Sequence, residues 1–482
     1  MTVITDKKAY EKAVPILATD EKRLPRLLES LAPADRRWVE AAGFDGAPET
    51  CVLVPDGKGG VSRVLAGVRD AADPWALAFL PLRLPRARYT LGKGPLAVAA
   101  EDAAFAWDLG GYEFARYRKP RRKAADLQLD ASPRVAEALE MAQAVRLVRD
   151  LVNTPTEDMG PEHLSDVARE QAELFGGEFD EWIGDELLAQ NFPAIHAVGR
   201  AAAREPRLLE IRCGEEKHPR LAIVGKGVCF DSGGLDIKSA DGMRLMKKDM
   251  GGAAHALALA RLVMQRKLPV NLHVLVPAVE NAISGNAYRP GDVVRTRKGL
   301  HVEIGNTDAE GRVILCDAIA YASEGKPATL IDFATLTGAA RVALGPELPV
   351  LFSNDDALAA RLQAASEALR DPMWRLPLWR DYRRLFSSDI ADFSNSGKGS
   401  FAGSIVAALF LDHFVPDNVP WAHFDVYAWN DVARPGRPVG GEAQGLRAVL
   451  EAVSHTPGQG KRAPSPLGEG RGEGSKPKRS RS

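Results

Sequence analysis

A chain of 482 residues is too long for one ordinary core, and its net charge of −1 excludes a global field that would draw in nucleic acid or acidic membranes. The apolar fraction of 45% and charged fraction of 26% are those of a soluble globular protein. Four scattered cysteines, Cys51, Cys213, Cys229 and Cys316, form no CxxC and no Cys/His zinc spacing, so they read as reduced and cytoplasmic. Residues 1–12 carry five charges at Asp6, Lys7, Lys8, Glu11 and Lys12 and lack the apolar centre of a signal peptide. No apolar run is long enough to span a bilayer.

Residues 1–130 read as a smaller N-terminal α/β domain. The stretches 51–55 and 61–68 are strand-like, with Asp56-Gly57-Lys58-Gly59-Gly60 as a hairpin loop between them. No helix start and no Lys-Ser/Thr pair follows, so these glycines read as a turn and not as a phosphate cradle. A basic run closes the domain: Arg116, Arg118, Lys119, Arg121, Arg122 and Lys123. It reads as a solvated connector, with contact to a phosphate backbone as the alternative.

Ser132-Pro133 then starts a helix, serine as cap and proline in the first turn, that runs to Asn153-Thr154-Pro155. Residues 131–155 are thus a linking helix into a larger domain, 131–455. Strand-like segments at 208–213, 221–225, 271–279, 329–336, 350–353 and 421–429 alternate with helical patterns at 251–265, 310–322, 357–369, 404–414 and 442–453. That alternation predicts a mainly parallel central sheet flanked by helices, with ligands at the carboxyl ends of strands. Residues 456–482 are rich in Gly, Pro and Ser, end basic, and read as disordered.

Two clusters gather chemical side chains. One is Gly225-Lys226-Gly227-Val228-Cys229-Phe230-Asp231-Ser232-Gly233-Gly234, followed by Lys238 and then Asp249-Met250-Gly251-Gly252. Its glycines allow close backbone approach around the charged residues. The other is Asn306-Thr307-Asp308-Ala309-Glu310-Gly311-Arg312, read as a strand-to-helix turn after the β-type run at 301–304. If that turn is extended, alternation aims Asp308, Glu310 and Arg312 the same way. Each cluster alone also reads as an exposed loop with surface ion pairs. Both sit at predicted strand ends of one sheet and can meet. Asp231, Asp249, Asp308 and Glu310 packed together would repel strongly, and two divalent cations would neutralise them. No HExxH, GxSxG or Walker A motif offers another chemistry. His255, His273, His301 and His423 fall in periodic segments and read as structural; Ser232 has no base partner and reads as loop-building.

The segments Val224-Gly225-Lys226-Gly227, Phe230-Asp231-Ser232-Gly233-Gly234, Lys247-Lys248-Asp249-Met250-Gly251-Gly252-Ala253-Ala254, Ser284-Gly285-Asn286-Ala287-Tyr288-Arg289-Pro290-Gly291-Asp292, Asn306 to Arg312 and Thr335-Leu336-Thr337-Gly338-Ala339 occur in that order. Together they closely resemble the leucyl (cytosol) aminopeptidase family over residues 140–455. The resemblance implies a peptide hydrolase that uses a water bridging two divalent metal ions, manganese or zinc. One ion would be bound by Lys226, Asp231, Asp249 and Glu310, the other by Asp231, Asp308 and Glu310. Lys226 can be a ligand only as a neutral amine. Lys238 and Arg312 would be the catalytic pair, with a bicarbonate ion possible at Arg312. Met246, Asn306, Thr335, Leu336 and Gly338 would bind substrate, a peptide with a free N-terminus. The family also implies a homohexamer without membrane attachment. A role in binding DNA or RNA, or as a scaffold, through the basic run and tail is the alternative. Gly305, residues 425–429 and residues 441–447 depart from the family's usual pattern, which leaves side-chain preference open.

Overall fold

The computed structural model describes residues 2–5, 13–120 and 122–455. The tail predicted to be disordered lies outside the described residues. The chain forms two α/β units, each built on its own sheet. The first sheet runs in the order Val3–Ile4, Asp126–Gln128, Arg88–Leu91, Val14–Thr19, Val61–Gly67, Cys51–Pro55. All its neighbours are parallel except the hairpin Cys51–Pro55/Val61–Gly67. Alternation along the strands sends Ile16, Ala18, Val64 and Ala66 to one face and Leu17 and Leu65 to the other. The first face packs on the helix Ala100–Gly110 through Ala103, Ala104 and Trp107; the second packs on Leu24, Leu27 and Val39 of two short helices. The predicted hairpin loop is closed by Asp56, whose carboxylate accepts from the amides of Lys58 at 2.7 Å and Gly60 at 2.8 Å. In the basic run, Arg122 anchors the connector on its own chain, donating to the carbonyls of Leu82 and Arg83 at 2.9 and 3.2 Å.

The linking helix is Pro133–Asn153, and the Ser132 hydroxyl accepts from the Val135 amide at 3.2 Å as a cap. It packs between Ala100–Gly110 of the first unit and Gly251–Gln265 of the second. The second unit is a nine-stranded sheet. Its path is Trp374–Arg375, Val350–Ser353, Trp421–Asp425, Thr329–Ala334, Arg220–Gly225, Asn271–Asn281, Arg207–Cys213, Glu178–Ile183, and Gly227–Asp231 pairs with the far half of Asn271–Asn281. Its centre is parallel, from Trp421–Asp425 through to Asn271–Asn281 and its partner Gly227–Asp231, and the other pairings are antiparallel apart from Trp374–Arg375. Ile223 and Phe333 face the helix Gly251–Gln265, whereas Ala222, Val224 and Leu330 face the helix Glu310–Glu324. Those two helices begin at the carboxyl ends of the central strands. No helix among the described residues is long and apolar enough to cross a membrane.

Four expectations are corrected. The strand His301–Glu303 pairs with Val293–Arg295 and Phe393–Ser394 in a separate three-stranded sheet, so the two chemical clusters arrive from two sheets and not one. The turn after it is not extended, because Glu310 already opens the helix Glu310–Glu324. The strand expected over 421–429 stops at Asp425, and the helix expected from 442 starts at Leu446, after Gly445 at φ +72°. His255, His273 and His423 are buried with partners, the last two on Glu210 and Asp332 at 2.6 Å, as structural histidines should be; His301 is exposed. The Ser232 hydroxyl builds its loop by donating to the Asn281 carbonyl at 2.6 Å.

The approach of the helix Gly251–Gln265 to the sheet depends on Gly252. A Cβ there would sit 2.1 Å from the Phe333 carbonyl oxygen and 2.8 Å from the Lys226 amide nitrogen, both backbone atoms. Gly252→Ala should therefore lower the thermal unfolding midpoint clearly, whereas Gly285→Ala, with open space around it, should leave the midpoint nearly unchanged. Thermal melts of the two variants check this.

Candidate metal centre

Lys226 leaves the carboxyl end of Arg220–Gly225, and its backbone is pinned by the Phe333 carbonyl at 2.9 Å and the Ala253 amide at 2.8 Å. Its buried ammonium donates to the Thr335 carbonyl at 2.9 Å and lies 2.7 Å from Asp249 Oδ2 and 2.8 Å from Glu310 Oε1. Gly311 makes room for it: a Cβ there would be 2.4 Å from Lys226 Cε. Asp231 ends the strand Gly227–Asp231. Its Oδ1 accepts from Gly233 and Asn281, both at 2.9 Å, and its Oδ2 lies 2.8 Å from Lys238 Nζ. Lys238 also pairs with Asp308.

Asn281 joins the two clusters. The same side-chain nitrogen that holds Asp231 donates to the Thr307 carbonyl at 3.0 Å, and Tyr288 donates to that carbonyl at 2.6 Å. Asp236 accepts from the Thr307 amide at 2.7 Å, and the Asn306 side chain accepts from the Asp308 amide at 2.7 Å. From the other side, Asn395 donates to the Asn306 carbonyl at 2.7 Å and accepts from Gly305 at 2.8 Å. Gly305, one of the departures noted above, has a local reason: a Cβ would stand 2.4 Å from Ser396 Oγ and 2.7 Å from Ser394 Oγ. The Arg312 guanidinium donates to the Asn395 carbonyl at 2.9 Å, while its buried Nε has no hydrogen-bond partner.

The result is a concentrated acidic centre. Carboxylate oxygens of Asp231, Asp308 and Glu310 lie within 4.8 Å of one another. Asp249 sits beside them through Lys226. Burial and then repulsion from Asp231 push Asp308 up to about 6 and Glu310 well above the carboxylate range. Burial opposes the charges of Lys226 and Lys238, yet the surrounding carboxylates outweigh it and raise both lysines. Glu310 Oε1 and Asp249 Oδ2 are buried without a well-directed hydrogen bond, although each is in ionic contact with Lys226. An all-oxygen set of clustered, under-satisfied carboxylates fits hard divalent cations.

These groups open on a cavity of about 350 Å³. Every site residue expected from the sequence lines it: Lys226, Asp231, Lys238, Met246, Asp249, Asn306, Asp308, Glu310, Arg312, Thr335, Leu336 and Gly338. Other contributors were not foreseen. Asp425 accepts from the amides of Leu336 at 3.0 Å and Thr337 at 3.1 Å and from the Thr337 hydroxyl at 2.6 Å, fixing the turn into the helix Gly338–Leu344. Lys248 and Arg341 also line the cavity, and burial drives the Lys248 amine down to about 8. Asn281 and Asp425 each end a strand of the central sheet, a position that could have flagged them. Asn395 comes from a loop remote in sequence and left no such signal.

The fold and this centre together define an α/β protein with a buried carboxylate cluster that could hold metal ions. Comparison with known proteins narrows it. Residues 146–450 match the cytosol aminopeptidase family catalytic domain, and residues 14–130 match the M17 aminopeptidase N-terminal domain. The chain is 38% identical over 470 residues to a probable cytosol aminopeptidase of Syntrophotalea carbinolica, covering 90% of this chain and 94% of that protein. The crystal structure of cytosol aminopeptidase from Coxiella burnetii superposes with a TM-score of 0.91 at 47% identity, over 94% of this chain and 99% of the other. The bottromycin maturation enzyme BotP in complex with Mn gives a TM-score of 0.79 at 32% identity, over 94% and 99% of the two chains. The chain belongs to the cytosol aminopeptidase family, and that membership supports aminopeptidase activity.

Because Asn281 orients Asp231 from behind, Asn281→Ala should weaken Mn²⁺ binding by about ten- to a hundredfold. Calorimetric titration of the metal-stripped protein measures it; unchanged affinity would separate Asn281 from the centre.

Proposed function

We propose that this chain is a metal-dependent aminopeptidase that removes the N-terminal residue from peptides. The observation that carries the reading is the convergence of Asp231, Asp308 and Glu310, with Asp249 and two lysines beside them, in one cavity of a chain from this family. In this reading Lys226, Asp231, Asp249, Asp308 and Glu310 hold two divalent ions, manganese or zinc. Bound there, such ions supply Lewis acidity and a water acidic enough to be deprotonated near neutral pH. Lys226 would have to shed its proton to coordinate, a reversal of the raised affinity that the bare carboxylates impose on it.

The chain's own groups do the rest. Asp249 accepts the substrate's free ammonium, which restricts cleavage to the first peptide bond. Lys238, between Asp231 and Asp308, keeps its positive charge and faces the oxygen that becomes negative as the carbonyl is attacked. That interaction grows towards the transition state, so it lowers the barrier and not merely KM. Arg312 has too high a pKa to be a base even though burial lowers it to about 10. Its orphaned Nε suits it to hold an anion such as bicarbonate. Asn306 fixes the turn that presents Asp308, and Met246, Thr335, Leu336 and Gly338 shape the pocket for the first side chain. A cytoplasmic homohexamer completes the reading.

Leucine amide and its N-acetylated form test the proposal. Metal-dependent turnover of the free amine alone is expected, abolished by chelator; equal turnover of the blocked amide would overturn it. Asp308→Asn should fold, with an unaltered far-UV spectrum, and lose activity by about a thousandfold or more. Normal turnover in that variant would remove Asp308 from the machinery.

A further inference from the structure

The cavity is lined by two cations, Lys248 and Arg341, that make no ion pair with its carboxylates. Lys248 is only 3% exposed, whereas Arg341 is exposed on the helix Gly338–Leu344. Their cationic groups share one aromatic ring: Lys248 Nζ lies 4.9 Å and Arg341 Cζ 4.5 Å from the centroid of Tyr427. Arg341 turns back along the cavity wall, with one guanidinium nitrogen 3.7 Å from where a Cβ of Gly338 would be.

Among the described residues, neither cation has a carboxylate within 4.0 Å. The two nearby acids are engaged elsewhere. Asp249 faces Lys226, and Asp425 is committed to Leu336 and Thr337. A buried ammonium resting on a π-face, with a guanidinium beside it and no anion between them, is under-compensated. A carboxylate entering from the cavity would relieve that deficit, and a neutral side chain would not.

We propose that Lys248 and Arg341 make this chain select peptides whose first residue is acidic, with glutamate preferred to its isostere glutamine. The proposal rests on the aminopeptidase reading and names the substrate class of that same site. Lys248 and Arg341 act as specificity residues that touch the first side chain, while the reacting carbonyl stays by the carboxylates. The shared Tyr427 ring holds both cations without neutralising either.

The test compares kcat/KM for the amides of glutamate, glutamine and leucine on the manganese-loaded full chain. Glutamate amide should exceed glutamine amide by about ten- to a hundredfold, the range of a charge-assisted hydrogen bond. Lys248→Met and Arg341→Met should each collapse that ratio, mainly through KM. Arg341 is exposed, so its variant keeps the experiment readable if the Lys248 variant does not fold. A second arm compares Leu-Gly with Leu-glycinamide, because a peptide's terminal carboxylate could also meet these cations. A glutamate-to-glutamine ratio near one, with good leucine amide turnover, would overturn the proposal and leave the peptidase reading intact. So would a preference for Leu-Gly without one for glutamate, which would assign the cations to the far end of the peptide. No turnover of any free-amine substrate would remove both readings.

Discussion

Mutual repulsion among Asp231, Asp308 and Glu310 is the constraint on which the rest of this site depends. Their oxygens crowd within 4.8 Å, mostly out of water, where like charges are expensive. Nothing in local propensity would bring them there. They are held by neutral groups behind them and by two ammonium groups among them. Asn281 and Tyr288 grip the Thr307 backbone, Asn395 grips Asn306, and Lys226 and Lys238 supply the opposing charge. The architecture follows from this need. A parallel sheet delivers the glycine-rich loop at its carboxyl edge, and a separate three-stranded sheet delivers the acidic turn, so each carboxylate arrives on an independently supported backbone.

Much of this was legible in the residues themselves. Gly251–Gln265 and the start of Glu310–Glu324 followed from apolar spacing, because both helices are buried along almost their whole length. The cap at Ser132-Pro133 was readable because capping chemistry is local. The two-unit α/β class followed from alternation of strand and helix patterns. The site's membership came from motif resemblance, and the cavity gathers all of those residues. What failed to show was non-local. The short strand His301–Glu303 gives no hint of which sheet it joins, since three residues carry too little pattern to set a partner. The end of the strand at Asp425 depends on amides of Leu336 and Thr337, nearly ninety positions away in the chain. Asn395 is an ordinary loop asparagine until the fold sets it beside Asn306.

The departures from the family's usual residues also acquire physical content. Gly305 lies where two serine hydroxyls pack against the space a Cβ would take. The bulky segment after Asp425 places Tyr427 against Lys248 and Arg341, two cations that line the cavity.

Anomalous diffraction from crystals equilibrated with Mn²⁺ tests the central claim most directly. Two peaks roughly 3.5–4 Å apart, bridged by Asp231 and Glu310 and with Asp308 on one of them, are the result this account predicts. No peak among these carboxylates, or a single ion bound with Lys226 still paired to Asp249 and Glu310, would contradict it.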